Sequence, residues 1–139
     1  MTECLSCDLK RVELLQTTIN NMDKNEINEA FRQRTKKQAV EIIKFCKSLK
    51  YDYIDRVVIN QLVKSSSSVA ANYRAACRAR SKAEFFSKLC IVVEEADETV
   101  FWLDVVKETG INESEQLKIL TQESFEILKI VAKARKNTD

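Results

Sequence analysis

A single glycine and no proline in 139 residues leave this chain few places to turn, because tight turns and strand reversals draw on those two residues. Long helices need the least of either. Hydrophobic residues at 45% and charged residues at 32% agree, since amphipathic helices alternate an apolar stripe with a wet, charged face. The length fits one ordinary domain. There is no histidine, which removes the serine and cysteine hydrolase triads, histidine-held zinc and iron, and the commonest general base at neutral pH. A non-enzymatic protein is therefore expected, with no cofactor, no metal and no small-molecule substrate. No stretch reaches the ~18–20 apolar residues of a membrane span, and the first fifteen residues carry acids and no secretory apolar core. A cytoplasmic protein without a membrane partner follows as the expectation. Five cysteines (Cys4, Cys7, Cys46, Cys77, Cys90) form an odd set suited to reduced thiols. Cys4 and Cys7 make a lone C-x-x-C, and with no second pair they read as incidental thiols.

Periodicity places four long helices. From about Asn25 to Leu49, Ile27, Phe31, Ala39, Ile42, Cys46 and Leu49 recur at three- and four-residue steps, the stripe of an amphipathic helix. From about Asp52 to Arg80 the stripe is Ile54, Val58, Leu62, Ser66, Val69, Tyr73 and Cys77. It keeps phase through Ser65 to Ser68, which predicts a continuous helix whose small residues let a neighbour approach and whose hydroxyls bond carbonyls one turn back. Ser81 to Glu84 has the form of a capping box and predicts a third start. Phe85, Leu89, Val92, Ala96, Val100, Leu103 and Val106 follow, and Gly110 stands where a left-handed cap would end that helix. Asn112 is the expected N-cap of a last helix with Leu117, Leu120, Ser124, Ile127, Leu128 and Val131 inside, and with Lys133, Arg135 and Lys136 favouring the dipole at its end. Short connections force antiparallel neighbours. The expected fold is all-α, an antiparallel up-down four-helix bundle over residues 25–136, with residues 1–24 a short extra helix or arm and 137–139 a tail.

Charge is sorted along the chain although the total is only +2. Arg32 to Lys50 holds Arg32, Arg34, Lys36, Lys37, Lys44, Lys47 and Lys50 against Glu41; Lys64 to Lys88 holds Lys64, Arg74, Arg78, Arg80, Lys82 and Lys88 against Glu84. The third helix reverses sign with Glu94, Glu95, Asp97, Glu98, Asp104 and Glu108 against Lys107. Projected at 100° per residue, Lys64, Ser67, Ala71, Arg74, Ala75 and Arg78 share a face opposite the apolar stripe. Such a face is either solvated or meets something acidic, a phosphate or the acidic helix of another subunit. The carboxylate cluster at Glu94 to Glu98 lacks the histidines that bundle di-iron sites need, so it reads as a solvated or salt-bridged face. Phe101, Trp102, Tyr73, Phe85 and Phe86 could stack bases, but helical spacing assigns most of them to a core or subunit interface. Tyr51 and Tyr53 are expected at the surface.

The run Gln61 to Arg74, containing Ser68-Val69-Ala70-Ala71-Asn72, followed by Ser81 to Phe85, resembles the bacterial four helix bundle protein family, often encoded within intervening sequences of 23S ribosomal RNA genes. The resemblance covers about Glu29 to Ala132. It implies a four-helix protomer that assembles into a ring-like homo-oligomer, a pentamer, with basic surface that suggests RNA or DNA binding, in a family with no established enzymatic activity. A more distant similarity is to the accessory variability proteins of diversity-generating retroelements, which work beside a reverse transcriptase. Many family members carry Glu-Gly after the Asn-x-Ala segment, whereas this chain has Arg74-Ala75-Ala76-Cys77, residues that favour helix; the connection is expected to begin later here. The candidate nucleic-acid contacts are Lys64, Arg74, Arg78, Arg80, Lys82 and Lys88, with Lys36, Lys37 and Lys44 in second place. The alternative is a protein-interaction module without nucleic acid, such as a partner of a reverse transcriptase or of a ribosome-associated factor.

Overall fold

The computed structural model describes the backbone of residues 4–139 and, within it, the side chains of 9–17 and 22–139. Among these residues every regular element is a helix: α1 (Cys4–Asn21), α2 (Lys24–Ser48), α3 (Asp55–Cys77), α4 (Lys82–Glu108) and α5 (Glu115–Thr138). The described residues thus form five helices rather than four. The extra one is α1, which lies within the segment 1–24 expected to be a short extra helix or arm. Cys4 and Cys7 fall in it, and their side chains lie outside the described residues.

The chain divides into two compact units, one ending at Phe31 and one running from Arg32 to Asp139. The first contains α1 and the opening of α2. There Asp23 and Glu26 cap each other: the Glu26 N–H donates to Asp23 Oδ1 at 2.8 Å and the Asp23 N–H to Glu26 Oε2 at 3.0 Å, satisfying two of the donors a helix start leaves open.

The second unit holds the remainder of α2 with α3, α4 and α5. Ser65 of α3 meets Thr99 of α4, and Arg34 and Gln38 of α2 meet Glu123 and Ser124 of α5, so these neighbours run antiparallel. The α3 and α4 backbones approach closely, as do those of α4 and α5. Ile42, Phe45, Cys46, Ile59, Leu62, Leu103, Val106, Leu117 and Leu120 form the main apolar cluster. Beside it is a layer of polar side chains. Gln38 Nε2 donates to the Leu120 carbonyl at 2.8 Å and to Ser124 Oγ at 2.9 Å, and Thr99 Oγ1 reaches Ser65 Oγ at 3.1 Å and the Glu95 carbonyl at 2.8 Å. Because each group has a partner, the layer avoids the cost of burying bare polar atoms.

The serine run is continuous helix. Ser65 and Ser66 are buried, and their hydroxyls donate to the Leu62 and Val63 carbonyls at 3.2 Å. Helix α3 continues to Cys77 before Arg78 leaves helical geometry, as the missing glycine predicts. Ser81 caps α4 by accepting from the Glu84 N–H at 3.0 Å, but the Glu84 carboxylate takes the Arg80 N–H and not that of Ser81. The N-cap of α5 is Ser114, not Asn112; Asn112 Oδ1 supports it by accepting from the Ser114 N–H and hydroxyl at 2.8 and 2.6 Å.

Gly110 follows the end of α4 with φ +76°, and its N–H donates to the Lys107 carbonyl at 3.1 Å. A Cβ there would meet nothing within 4 Å, so Gly110→Ala costs only the left-handed backbone strain. That is about 1 kcal/mol, read as a lower urea midpoint with unchanged slope. Cys46 gives a second prediction. It is 4% exposed, and burial pushes its thiol up to about 11. A thiol reagent at pH 8 should modify the exposed Cys77 in the native protein while Cys46 reacts only after denaturation. Since the folded state holds this thiol protonated, its contribution is full below the unfolded value of 9.0 and fades as pH rises from there through about 11.

Candidate nucleic-acid interface

Helices α2 and α3 leave a groove of about 410 Å³ between them, lined by Arg32, Gln33, Lys36, Ala39, Val40, Ser67, Ala70, Ala71 and Arg74. Its form follows from the sequence. Arg32 and Lys36 are one turn apart on α2, so both project to one side. On α3, Ser67, Ala70, Ala71 and Arg74 recur at three- and four-residue steps, and their small side chains keep the floor low. Lys36 and Arg74 are exposed and face across the groove from different helices, with Arg32 half-buried beside them. Cations on both walls of an apolar cleft reinforce each other's field and attract an anion. No aromatic ring and no carboxylate lines the groove, so it offers no ring on which a base could stack and no carboxylate to repel a phosphate.

The structure therefore unites only part of the set predicted from sequence. Lys36 and Arg74 share the groove. Lys37 and Lys44 are exposed elsewhere on α2, and Lys44 is engaged by Glu41 at 3.6 Å. Lys64 lies in the field of Glu95, whose carboxyl is raised by partial burial first and by Glu98 next, with Lys64 opposing. Arg78, Arg80 and Lys82 cluster around the α3–α4 connection, and Lys88 is half-buried on α4. Arg32 was not among the candidates; its signal was the four-residue step to Lys36. Arg34, from the same basic block, instead forms a two-pronged pair with Glu123, Nε to Oε1 at 2.6 Å and Nη2 to Oε2 at 2.9 Å, holding α2 to α5.

The α5 cations, read in sequence only as partners of the helix dipole, stand at the same end of the unit as Arg74, Arg78, Arg80 and Lys82. This is where α3 and α5 finish and α4 begins. The opposite end is mixed, with Asp52, Asp55, Glu108, Glu113 and Glu115 beside Lys47, Lys50, Arg56, Lys107 and Lys118. Glu94, Asp97, Glu98 and Asp104 are exposed along α4, surrounding Phe101, which is 54% exposed. Among the described residues no group of three or more histidine, cysteine or carboxylate side chains could hold a metal ion, and no helix is long and apolar enough to cross a membrane.

A helical unit with a basic groove between two of its helices defines a class of small bundle proteins with an anion-attracting face. The sequence pattern of the 23S rRNA-intervening sequence protein family matches residues 27–133, and the chain belongs to that family. Among solved structures, a protein of unknown function from the S23 ribosomal protein family of Bacteroides thetaiotaomicron VPI-5482 is 32% identical, with a TM-score of 0.70 over 76% of this chain and 98% of that one. No curated protein matches the chain.

Proposed function

We propose that this protein is a non-enzymatic homo-oligomer, a pentamer, that binds RNA or DNA through its basic surface, with the α2–α3 groove as the principal seat for backbone phosphates. The observation that carries this reading is the convergence of Arg32, Lys36 and Arg74 on one cleft without carboxylates. Contacts of this kind release counterions and are indifferent to sequence. The family's designation makes ribosomal RNA the first probe.

Binding of 23S rRNA fragments, followed by fluorescence anisotropy, should be strong at low salt and weaken steeply as salt rises. Lys36→Glu with Arg74→Glu should abolish most of the affinity. Lys36→Ala with Arg74→Ala should flatten the salt slope by about 1.4 on single strands, at ~0.7 per phosphate contact. Absent binding at low salt, or binding indifferent to both pairs, overturns the reading. A second reading draws support from the α4 surface: Phe101, ringed by Asp97, Glu98 and Asp104, complements an apolar groove flanked by cations in another copy. If Arg74→Glu dissociates the oligomer and Asp97→Arg restores it, the groove serves assembly and not nucleic acid.

A further inference from the structure

At the basic end of the bundle, α4 and α5 leave an open recess of about 500 Å³ lined by Phe86, Ala132, Lys133, Arg135, Lys136 and Asp139. Three cations meet one carboxylate there. The C-terminal dipole of α5 alone would repel an anion, so the cations must outweigh it. Unlike the α2–α3 groove, this recess has an aromatic wall: Phe86, on the flank of the Phe85 stripe, is only half-buried.

We infer that this recess is a second nucleic-acid contact that takes a single strand, stacking an unpaired base on Phe86 while Lys133 and Lys136 meet the adjoining phosphates. The inference rests on the nucleic-acid reading above and adds to it a preference that the groove by itself lacks. Base faces are covered inside a duplex, so only an unpaired base can lie on a ring. The groove lies between α2 and α3 and the recess between α4 and α5, on opposite sides of the bundle. Arg78, Arg80 and Lys82 stand on the connection between them. A strand leaving the groove would therefore cross a basic surface to reach Phe86. About two helix diameters separate the two sites, ~20 Å, which a strand of about six to eight nucleotides spans if its bases keep the ~3.4 Å stacked rise of a helix.

The test is affinity against length for fluorescent single-stranded RNA and for duplexes of matching length. For the wild type, affinity should rise abruptly, about a hundredfold, once single strands pass about eight nucleotides, because the second contact is then made within one complex. Lys133→Glu with Lys136→Glu should remove that step while leaving short-strand binding in place. Phe86→Leu, which keeps an apolar side chain in the packing, should weaken long single strands about tenfold and leave duplexes unchanged. A step that survives the α5 substitutions, or a Phe86→Leu loss equal on duplex and single strand, overturns this inference alone. Failure of every length to bind at low salt overturns it together with the groove reading.

Discussion

Replacing Phe45 by alanine is expected to destabilise the protein by about 3–5 kcal/mol. The side chain is 2% exposed and packs in the cluster with Ile42, Leu62, Leu103 and Leu117. It does so on α2, whose backbone does not come as close to its neighbours as α3 and α5 come to α4. The ring fills the space that separation creates. The surrounding Ile42, Leu62, Leu103 and Leu117 cannot close the resulting cavity without moving α2 as a body, so the loss should fall near the upper part of that range. Against a total stability of about 5–15 kcal/mol for a domain of this size, such a change is large. Urea unfolding followed by circular dichroism reads it as a lowered midpoint. A change below about 1 kcal/mol would show that α2 is not anchored through this ring.

The second large effect is expected where space is scarce. Ser65→Leu should cost about 1–3 kcal/mol by overpacking, because Ser65 is 1% exposed and lies where α3 passes close to α4. Loss of the hydroxyl is a smaller matter. Thr99 retains its bond to the Glu95 carbonyl at 2.8 Å when Ser65 Oγ is gone, so Ser65→Ala should cost less than about 1 kcal/mol. Comparing the two variants by thermal unfolding separates volume from hydrogen bonding. Equal losses would reject the steric explanation.

These sites also show what was legible in the sequence. The inner stripe of α5 is visible in the spacing of Leu117, Leu120, Ser124, Ile127 and Val131, all of which are buried. Leu89, Val92, Ala96, Leu103 and Val106 of α4 are likewise buried. Periodicity failed near helix ends. Ile27 and Ile54 keep the three- to four-residue phase yet are 45% and 68% exposed, since each lies at or just before the first turn of its helix. It also missed Thr35, Gln38 and Thr99, which are buried without being hydrophobic; a stripe counted by hydropathy passes over a polar side chain that finds its hydrogen-bond partner inside the bundle. The basic groove was half legible. Arg74 and its small neighbours were apparent on one helix face, but pairing them with Lys36 required knowing which side of α2 packs beside α3. The recess at Phe86 was less legible, for it depends on the length of α5 and on where that helix ends beside α4.

The hydroxyl and amide layer inside the bundle has a consequence for alignment. Leucine, isoleucine and valine layers are nearly interchangeable, and helices built from them alone can slide by one turn and still bury apolar surface. Here a one-turn slip of α5, about 5.4 Å, would bring Leu120 or Leu128 opposite Gln38 in place of Ser124. The same slip of α4 would set Leu103 or Glu95 against Ser65. Either displacement strands a polar group among hydrocarbons. A few hydrogen bonds of modest strength thus select one alignment of the helices from several that would otherwise compete, and fix the position at which the cations of α2 stand opposite Arg74.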